Sequence, residues 1–443
     1  MFLKKLKKIW RFLGPGFITG AVDDDPVGIA TYAIAGSKLG FSSLWTAFFT
    51  YPLMTAIQEM CARIGIITKM GLAGVLKKHY PFLFLILIAF LMVSANILNI
   101  GADISGMSAV TSLLVPWIST KILALIYLLL ITYLMVFWNF KKLIKYFKWL
   151  SLTLFFYMAA ALFVSHDWSE VLKYIITPEL TLNKETISLI IAVFGTTISP
   201  YLFFWQTTEE AIEEKNHHHE HWHIHDEKLK KEITHMEEDV SLGMFFSNLI
   251  MFFVMLLAAT LFFGKTISIE TIDQLSRLLE PLLGQFGQFI FILGIVGTGL
   301  LVIPVLAASS AYILAETFSW KEGLLVEGSR LGEGPVRSRV SSAKPGTFDI
   351  EKKFHRAKEF YLVIILSTLL ALIINYFNFN PVKLLFYTAL FHGMISPFLI
   401  LTILSISNNK KVMGTYVNSS LSNILGFGAF LIMTVAVIFY FVL

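Results

Sequence analysis

Gly14-Pro-Gly-Phe-Ile-Thr-Gly-Ala-Val-Asp-Asp-Asp-Pro-Val-Gly-Ile-Ala-Thr-Tyr-Ala33 decides how this chain folds, because it sets three carboxylates and a Pro inside an apolar stretch. Pro26 removes a helical hydrogen bond, and in hydrocarbon the freed groups must be met by the protein or by a ligand. Intramembrane carboxylates are costly and mark ion pathways or buried pairs. A second stretch, Gly195-Thr-Thr-Ile-Ser-Pro200-Tyr, repeats the break without the charge. Together they read as two discontinuous helices whose unwound carbonyls and half-helix C-termini, with Asp25, build an oxygen-rich cation pocket. The alternative has Pro200 merely kinking a helix and Asp23, Asp24 and Asp25 in a re-entrant surface loop. Long apolar flanks on both sides disfavour it.

The rest of the chain supplies the membrane context. Hydrophobic residues make up 56% of it and mean hydropathy is +0.71, with many runs near the ~20 residues that cross a bilayer. Such runs fall at roughly residues 14–36, 41–64, 81–114, 120–139, 146–165, 187–212, 240–263, 287–316, 358–377, 383–406 and 421–442. The expected fold is therefore an all-α integral membrane protein. Residues 14–165 and 187–406 form two inverted repeats of five spans, each opening with a broken helix, and 421–442 adds an eleventh helix.

Basic residues cluster in alternate connections: Lys4, Lys5, Lys7, Lys8 and Arg11; Arg63, Lys69, Lys77 and Lys78; Lys141, Lys142, Lys145 and Lys148. Lys228, Lys230 and Lys231, then Lys352, Lys353, Arg356 and Lys358, then Lys410 and Lys411 continue the pattern. The positive-inside rule places the N-terminus in the cytoplasm and, with an odd number of spans, the C-terminus outside. The formal charge of +5 is accounted for by loops facing anionic lipid, and no basic-aromatic patch points to nucleic acid. Met1 to Leu13 lacks a small-residue cleavage site and reads as a retained amphipathic segment. Cys61 is the only cysteine, which excludes intrachain disulfides and thiolate metal clusters.

Other polar residues admit more than one reading. Asp103, in Asn99-Ile-Gly-Ala-Asp-Ile-Ser-Gly-Met, fits a buried hydrogen-bonding role and a permeation role equally. Glu59 and Arg63 are spaced to pair with each other. Glu209, Glu210, Glu213 and Glu214 read as a solvated helix end, with an exit vestibule as the alternative. The tract carrying His217, His218, His219, His221, His223 and His225 reads as a solvated loop within residues 215–237; local capture of Zn, Ni or Cu is its other reading. Residues 323–352, rich in Gly, Ser, Pro and Arg, read as a flexible cytoplasmic loop. No phosphate-binding loop, HExxH motif or GxSxG elbow is present, which leaves no support for nucleotide-driven transport or for an enzyme. An intramembrane acid-base enzyme lacks a second catalytic motif, and a metal-sensing scaffold would rest on the His tract alone.

These motifs resemble those of the NRAMP family of divalent-metal transporters, from Gly14-Pro-Gly to Ser420-Leu-Ser-Asn-Ile-Leu-Gly. The resemblance implies a LeuT-like inverted-repeat fold, alternating access, and a transported metal rather than a cofactor. The family's Asp-Pro-Gly-Asn is matched by Asp25-Pro26-Val27-Gly28, and its Ala-x-x-Met-Pro-His by Thr196-Thr197-Ile198-Ser199-Pro200-Tyr201. It therefore implies a metal site at Asp25, Val27, Gly28, Thr196 and Ser199. The Asn ligand has become Gly28 and the thioether a Ser199 hydroxyl, departures that resemble the NRAMP-related magnesium transporter branch. Oxygen donors and extra space suit a hydrated Mg2+, with Mn2+ competing. The family's proton-relay positions read here as Tyr201, Gln206, Ile100 and Asp103, which implies weak or absent proton coupling. Asp23 and Asp24 are expected to screen the incoming cation, and Asp103, Tyr201 and Gln206 to line its surroundings. A proton-coupled Mn2+ or Fe2+ importer is the alternative. The expected location is the plasma membrane; the expected partners are divalent ions and lipid, and no protein partner is read from the sequence.

Overall fold

Pro15 and Pro26 each open a helix at its first turn, where a missing N–H is no loss and a fixed φ is an advantage. The computed structural model describes residues 14–138, 143, 146, 149–164, 166–217, 226–265, 269–321, 357–377 and 379–443. Its principal helices are α1 (Pro15–Asp23), α2 (Pro26–Leu39), α3 (Trp45–Thr68), α4 (Phe82–Ser112), α5 (Thr120–Phe137), α6 (Phe155–Phe163), α7 (Lys184–Thr197), α8 (Pro200–His217), α9 (Asp226–Phe262), α10 (Gln285–Phe318), α11 (Lys358–Tyr376), α12 (Pro381–Ser407) and α13 (Ser420–Val442). Among the described residues, α4, α5, the α7–α8 pair and α9 to α13 are long and apolar enough to cross a membrane. The α1–α2 pair, α3 and the short α6 lie at the three other expected spans.

Side chains are distributed as hydrocarbon demands. Leu83, Ile424 and Phe441 are 80%, 68% and 70% exposed, whereas Asp23, Asp103 and Gln206 are 1%, 0% and 0% exposed. Polar groups are withdrawn into the protein and apolar ones turned outward to lipid. The helices α1 and α2 pack on α9, α7 packs on α12, and α8 on α3, so both broken helices are enclosed by others.

Gly residues bring these crossings to backbone contact. A Cβ added at Gly20 would lie 2.8 Å from Gly243 Cα, and one at Gly16 2.6 Å from Val240 N, both on α9. At the second broken helix, a Cβ at Gly195 would lie 2.6 Å from Gly393 Cα on α12. Asp239 on α9 completes the first of these joints. Its carboxylate accepts backbone N–H bonds from Gly14 and Gly16, each at 2.8 Å, and from Phe17 at 3.2 Å, meeting the orphan donors of the α1 N-terminus. Asp239→Ala is expected to lower stability by ~1–3 kcal/mol. It should also raise the reactivity of a cysteine introduced on α1, read by thermal unfolding and maleimide labelling in detergent.

Three expectations need revision. The direct contacts of Arg63 are Glu237 on α9 at 3.0 Å and Asn418 at 3.4 Å, while Glu59 feels its charge without a close ion pair, because a buried guanidinium gains more from partners on two other elements. Helix α9 starts at Asp226, inside the stretch expected as the 215–237 loop, and the pairs Lys231–Glu227 (3.1 Å) and Lys228–Glu232 (3.8 Å) support that added length. The connections also contain helices that hydropathy does not signal, Leu72–His79 and Trp168–Ile176. Residues 218–225 and 323–352 lie outside the described residues, and with them His218, His219, His221, His223 and His225. His217 closes α8 as its last residue.

Candidate metal-transport site

Both breaks are two residues long and both resume at Pro. Helix α1 ends at Asp23 and α2 begins at Pro26, while α7 ends at Thr197 and α8 begins at Pro200. The linking residues adopt nearly the same backbone: Asp24 has φ −83° and ψ 59°, Ile198 φ −101° and ψ 62°. Each is close to an inverse γ-turn, which swings a carbonyl off the helical ladder. Asp25 and Ser199 thus occupy equivalent places, each just before its Pro.

Asp25 is buried and fixed from two sides. Its Oδ1 accepts the Gly28 N–H at 2.6 Å as the N-cap of α2, and its Oδ2 accepts from Asn99 Nδ2 at 3.0 Å. Asn99 also donates to Asp103 Oδ2 at 2.8 Å, so one amide on α4 holds two carboxylates. Val27 is buried in the first turn of α2, where its carbonyl accepts from Thr31 Oγ1 at 2.7 Å. At Gly28 a Cβ would come within 3.3–3.4 Å of Asp23 O, Asp25 Oδ1 and the Tyr32 ring, so the glycine keeps this side of the carboxylate open.

Ser199 is drawn to Asp23 rather than Asp25. Its Oγ lies 3.2 Å from Asp23 Oδ1 and 2.5 Å from the Thr196 carbonyl. The Thr196 hydroxyl turns back to Ala192 O and Val193 O, at 3.2 and 3.1 Å. Asp23 and Asp24, expected as entrance charges, are buried against α9, where Ser247 Oγ donates to Asp23 Oδ2 at 2.7 Å and lies 3.4 Å from Asp24 Oδ1. Among the described residues no three His, Cys, Asp or Glu side chains group to hold an ion. The polar groups at the two breaks are carboxylate, hydroxyl and backbone carbonyl oxygens, with the Asn99 amide beside them. A thioether also stands beside the second break, where Met251 Sδ on α9 accepts the Thr197 hydroxyl at 3.5 Å.

On the Gly14 side of the break two hydrogen bonds join α1 to α8, and a third lies within α8. Tyr201 Oη donates to Val22 O at 3.2 Å; Gln206 Oε1 accepts from Thr19 Oγ1, and its Nε2 donates to Glu210 Oε1 at 2.8 Å. Glu210 and Glu214 are buried, Glu214 lying 3.5 Å from Lys69 Nζ. The end of α8 is therefore solvated only in part, because α8 packs on α3 and presents one face to it. On the other side of the break Lys38 at the end of α2 pairs with Glu185 at the start of α7.

Sequence reading did not assign Asn99 or Ser247, although each is a polar residue in an apolar run and Asn99 stands four residues before Asp103. It also did not assign His392 on α12, which is buried with its ring centroid 6.0 Å from that of Tyr201.

Similarity to known proteins follows the same outline. Residues 16–443 match the family profile described as "Natural resistance-associated macrophage protein-like". A divalent metal cation transporter MntH from Clostridium acetobutylicum is 23% identical over 435 residues, 96% of this chain and 89% of its own. A protein of the same description from Klebsiella pneumoniae strain 342 is 26% identical over 299 residues, 65% of this chain and 68% of its own. Among solved structures, a mutant of the Eremococcus coleocola manganese transporter superposes with TM-score 0.72 at 15% identity, covering 96% of this chain and 85% of that one. Mhp1, a nucleobase-cation-symport-1 family transporter, superposes with TM-score 0.52 at 11% identity over 97% of this chain and 92% of its own. The fold is the LeuT-like inverted repeat, and the chain belongs to the Nramp family of natural resistance-associated macrophage protein-like proteins.

Proposed function

We propose that this chain is a divalent-cation transporter that carries Mg2+, and Mn2+ in competition with it, inward as a partly hydrated ion by alternating access. The observation that supports this reading is Asp25 itself, a buried carboxylate at a helix break, with Gly28 and Ser199 at the positions where the wider family has an amide and a thioether. Val27 and Thr196 line the same two breaks and would contribute carbonyl or hydroxyl oxygen. Mg2+ releases water reluctantly and keeps several water ligands, which suits a site with one charged protein group and space beside it. Of the four relay positions, Tyr201, Gln206 and Ile100 have lost the family's titratable groups and Asp103 alone keeps an acid, so uptake would be driven by membrane potential, worth about 4.6 kcal/mol per 100 mV for a divalent ion. The setting is the plasma membrane with the N-terminus in the cytoplasm.

Proteoliposome uptake of Mg2+, Mn2+ and Ca2+ under an imposed potential tests the reading, with internal pH recorded in parallel. Uptake of Mg2+ without metal-dependent acidification is the expected result; acidification with Mn2+ and none of Mg2+ taken up overturns it. The second outcome describes a proton-coupled Mn2+ or Fe2+ importer, a reading favoured by the names of the relatives and by His392 buried beside Tyr201. Ser199→Met supplies the thioether directly. It should move the preference about tenfold toward Mn2+ or Cd2+, the softer ions, and an unmoved ratio would show that position 199 does not set selectivity.

A further inference from the structure

Asn99 stands one helical turn before Asp103 on α4, and both side chains are fully enclosed. The two protons of its amide nitrogen are both spent, one on Asp25 Oδ2 at 3.0 Å and one on Asp103 Oδ2 at 2.8 Å. This sets the orientation of the amide, since the reverse would place Oδ1 against two carboxylate oxygens that between them offer at most one proton. Asn99 Oδ1 is then left buried with no hydrogen-bond partner in the protein. A buried acceptor without a donor bears the full desolvation cost of the group, and native structures answer such groups with water or a ligand. Here the orphan belongs to the same amide that grips the Asp25 carboxylate.

A water bound to a divalent cation directs its lone pair at the metal and both protons away from it. Such a water is a strong donor in search of an acceptor. We propose that Asn99 is a binding residue for the hydrated cation, its Oδ1 accepting a hydrogen bond from a water held on the ion beside Asp25 while its Nδ2 keeps that carboxylate in place. The inference rests on the Mg2+ reading above. It returns to the site, from α4 and at one water's remove, the amide oxygen absent at Gly28. Because the contact is to water, Asn99 favours the ion that keeps its shell.

The discriminating readout is the ratio of apparent KM for Mg2+ and Mn2+ in proteoliposomes, since a merely structural loss moves both ions together. Asn99→Leu keeps the volume and removes both polar ends. It is expected to weaken Mg2+ by ~10–100-fold, the range for groups acting behind the first ligands, and Mn2+ at least several-fold less. Asn99→Ser retains a hydroxyl acceptor and should recover part of the ratio that Asn99→Ala does not, a comparison that also serves if the Leu variant fails to accumulate. Equal losses for both ions, or Ser and Ala variants with the same ratio, overturn the proposal. Wild-type protein that takes up no Mg2+ would remove the transport reading itself. An unchanged ratio in a protein that does transport Mg2+ removes only the role of Asn99.

Discussion

Replacing Asp25 by Asn is expected to abolish uptake of Mg2+ and Mn2+ while leaving the protein folded. Both outcomes follow from one arrangement. Asp25 is the N-cap of α2, and Asn caps helices about as well as Asp, so the bond from Gly28 N–H can be kept. What Asn cannot keep is the negative charge at the break itself, where Asp103 shares the Asn99 amide with it from α4. The loss should exceed the ~10–100-fold typical of groups behind a metal's first ligands, which brings uptake to background in a proteoliposome assay. Thermal unfolding in detergent checks the fold separately. Uptake at the parental rate would mean that the ion passes elsewhere.

The second large effect is expected at Gly20, where no metal contact is involved. A Cβ there meets the backbone of Gly243 on α9, and a Cβ at Gly243 in turn would lie 2.8 Å from Phe17 Cα on α1. Neither obstacle is a side chain that can rotate away. Gly20→Val should therefore push α1 off α9, stretch the Asp239 bonds at its N-terminus and displace Asp23 from Ser247. Overpacking alone costs ~1–3 kcal/mol, and the displaced polar contacts add to it. We expect uptake at background and a lowered unfolding midpoint, with Gly20→Ala intermediate in both measurements. Parental stability and uptake in Gly20→Val would show that α1 is held away from α9 in the working protein.

The fold was legible because hydrocarbon leaves so few choices. Apolar run length gives the spans, and Pro26 and Pro200 locate both breaks to within a residue, since a Pro at the first turn marks where helix resumes. The lengthening of α9 to Asp226 was less legible, because its first turns are charged and held by i, i+4 pairs that hydropathy does not register. At the candidate site, Asp25 stands out from Asp23 and Asp24 by the Pro that follows it and by the family motif that pair resembles. Asn99 and Ser247 do not stand out, since their importance lies in crossing from α4 and α9 to carboxylates far away in sequence. Arg63 shows the same limit: spacing offered Glu59, whereas packing brought Glu237 and Asn418 to it.

The Asp239 clamp has a bearing on how often the transporter opens. Any movement of α1 away from α9 would exchange three N–H bonds to a carboxylate for bonds to solvent. At a net ~1 kcal/mol for each bond, the three together oppose that movement by about 3 kcal/mol. Freeing α1 by Asp239→Ala is therefore expected to raise both exchange and background leak of divalent ions in proteoliposomes.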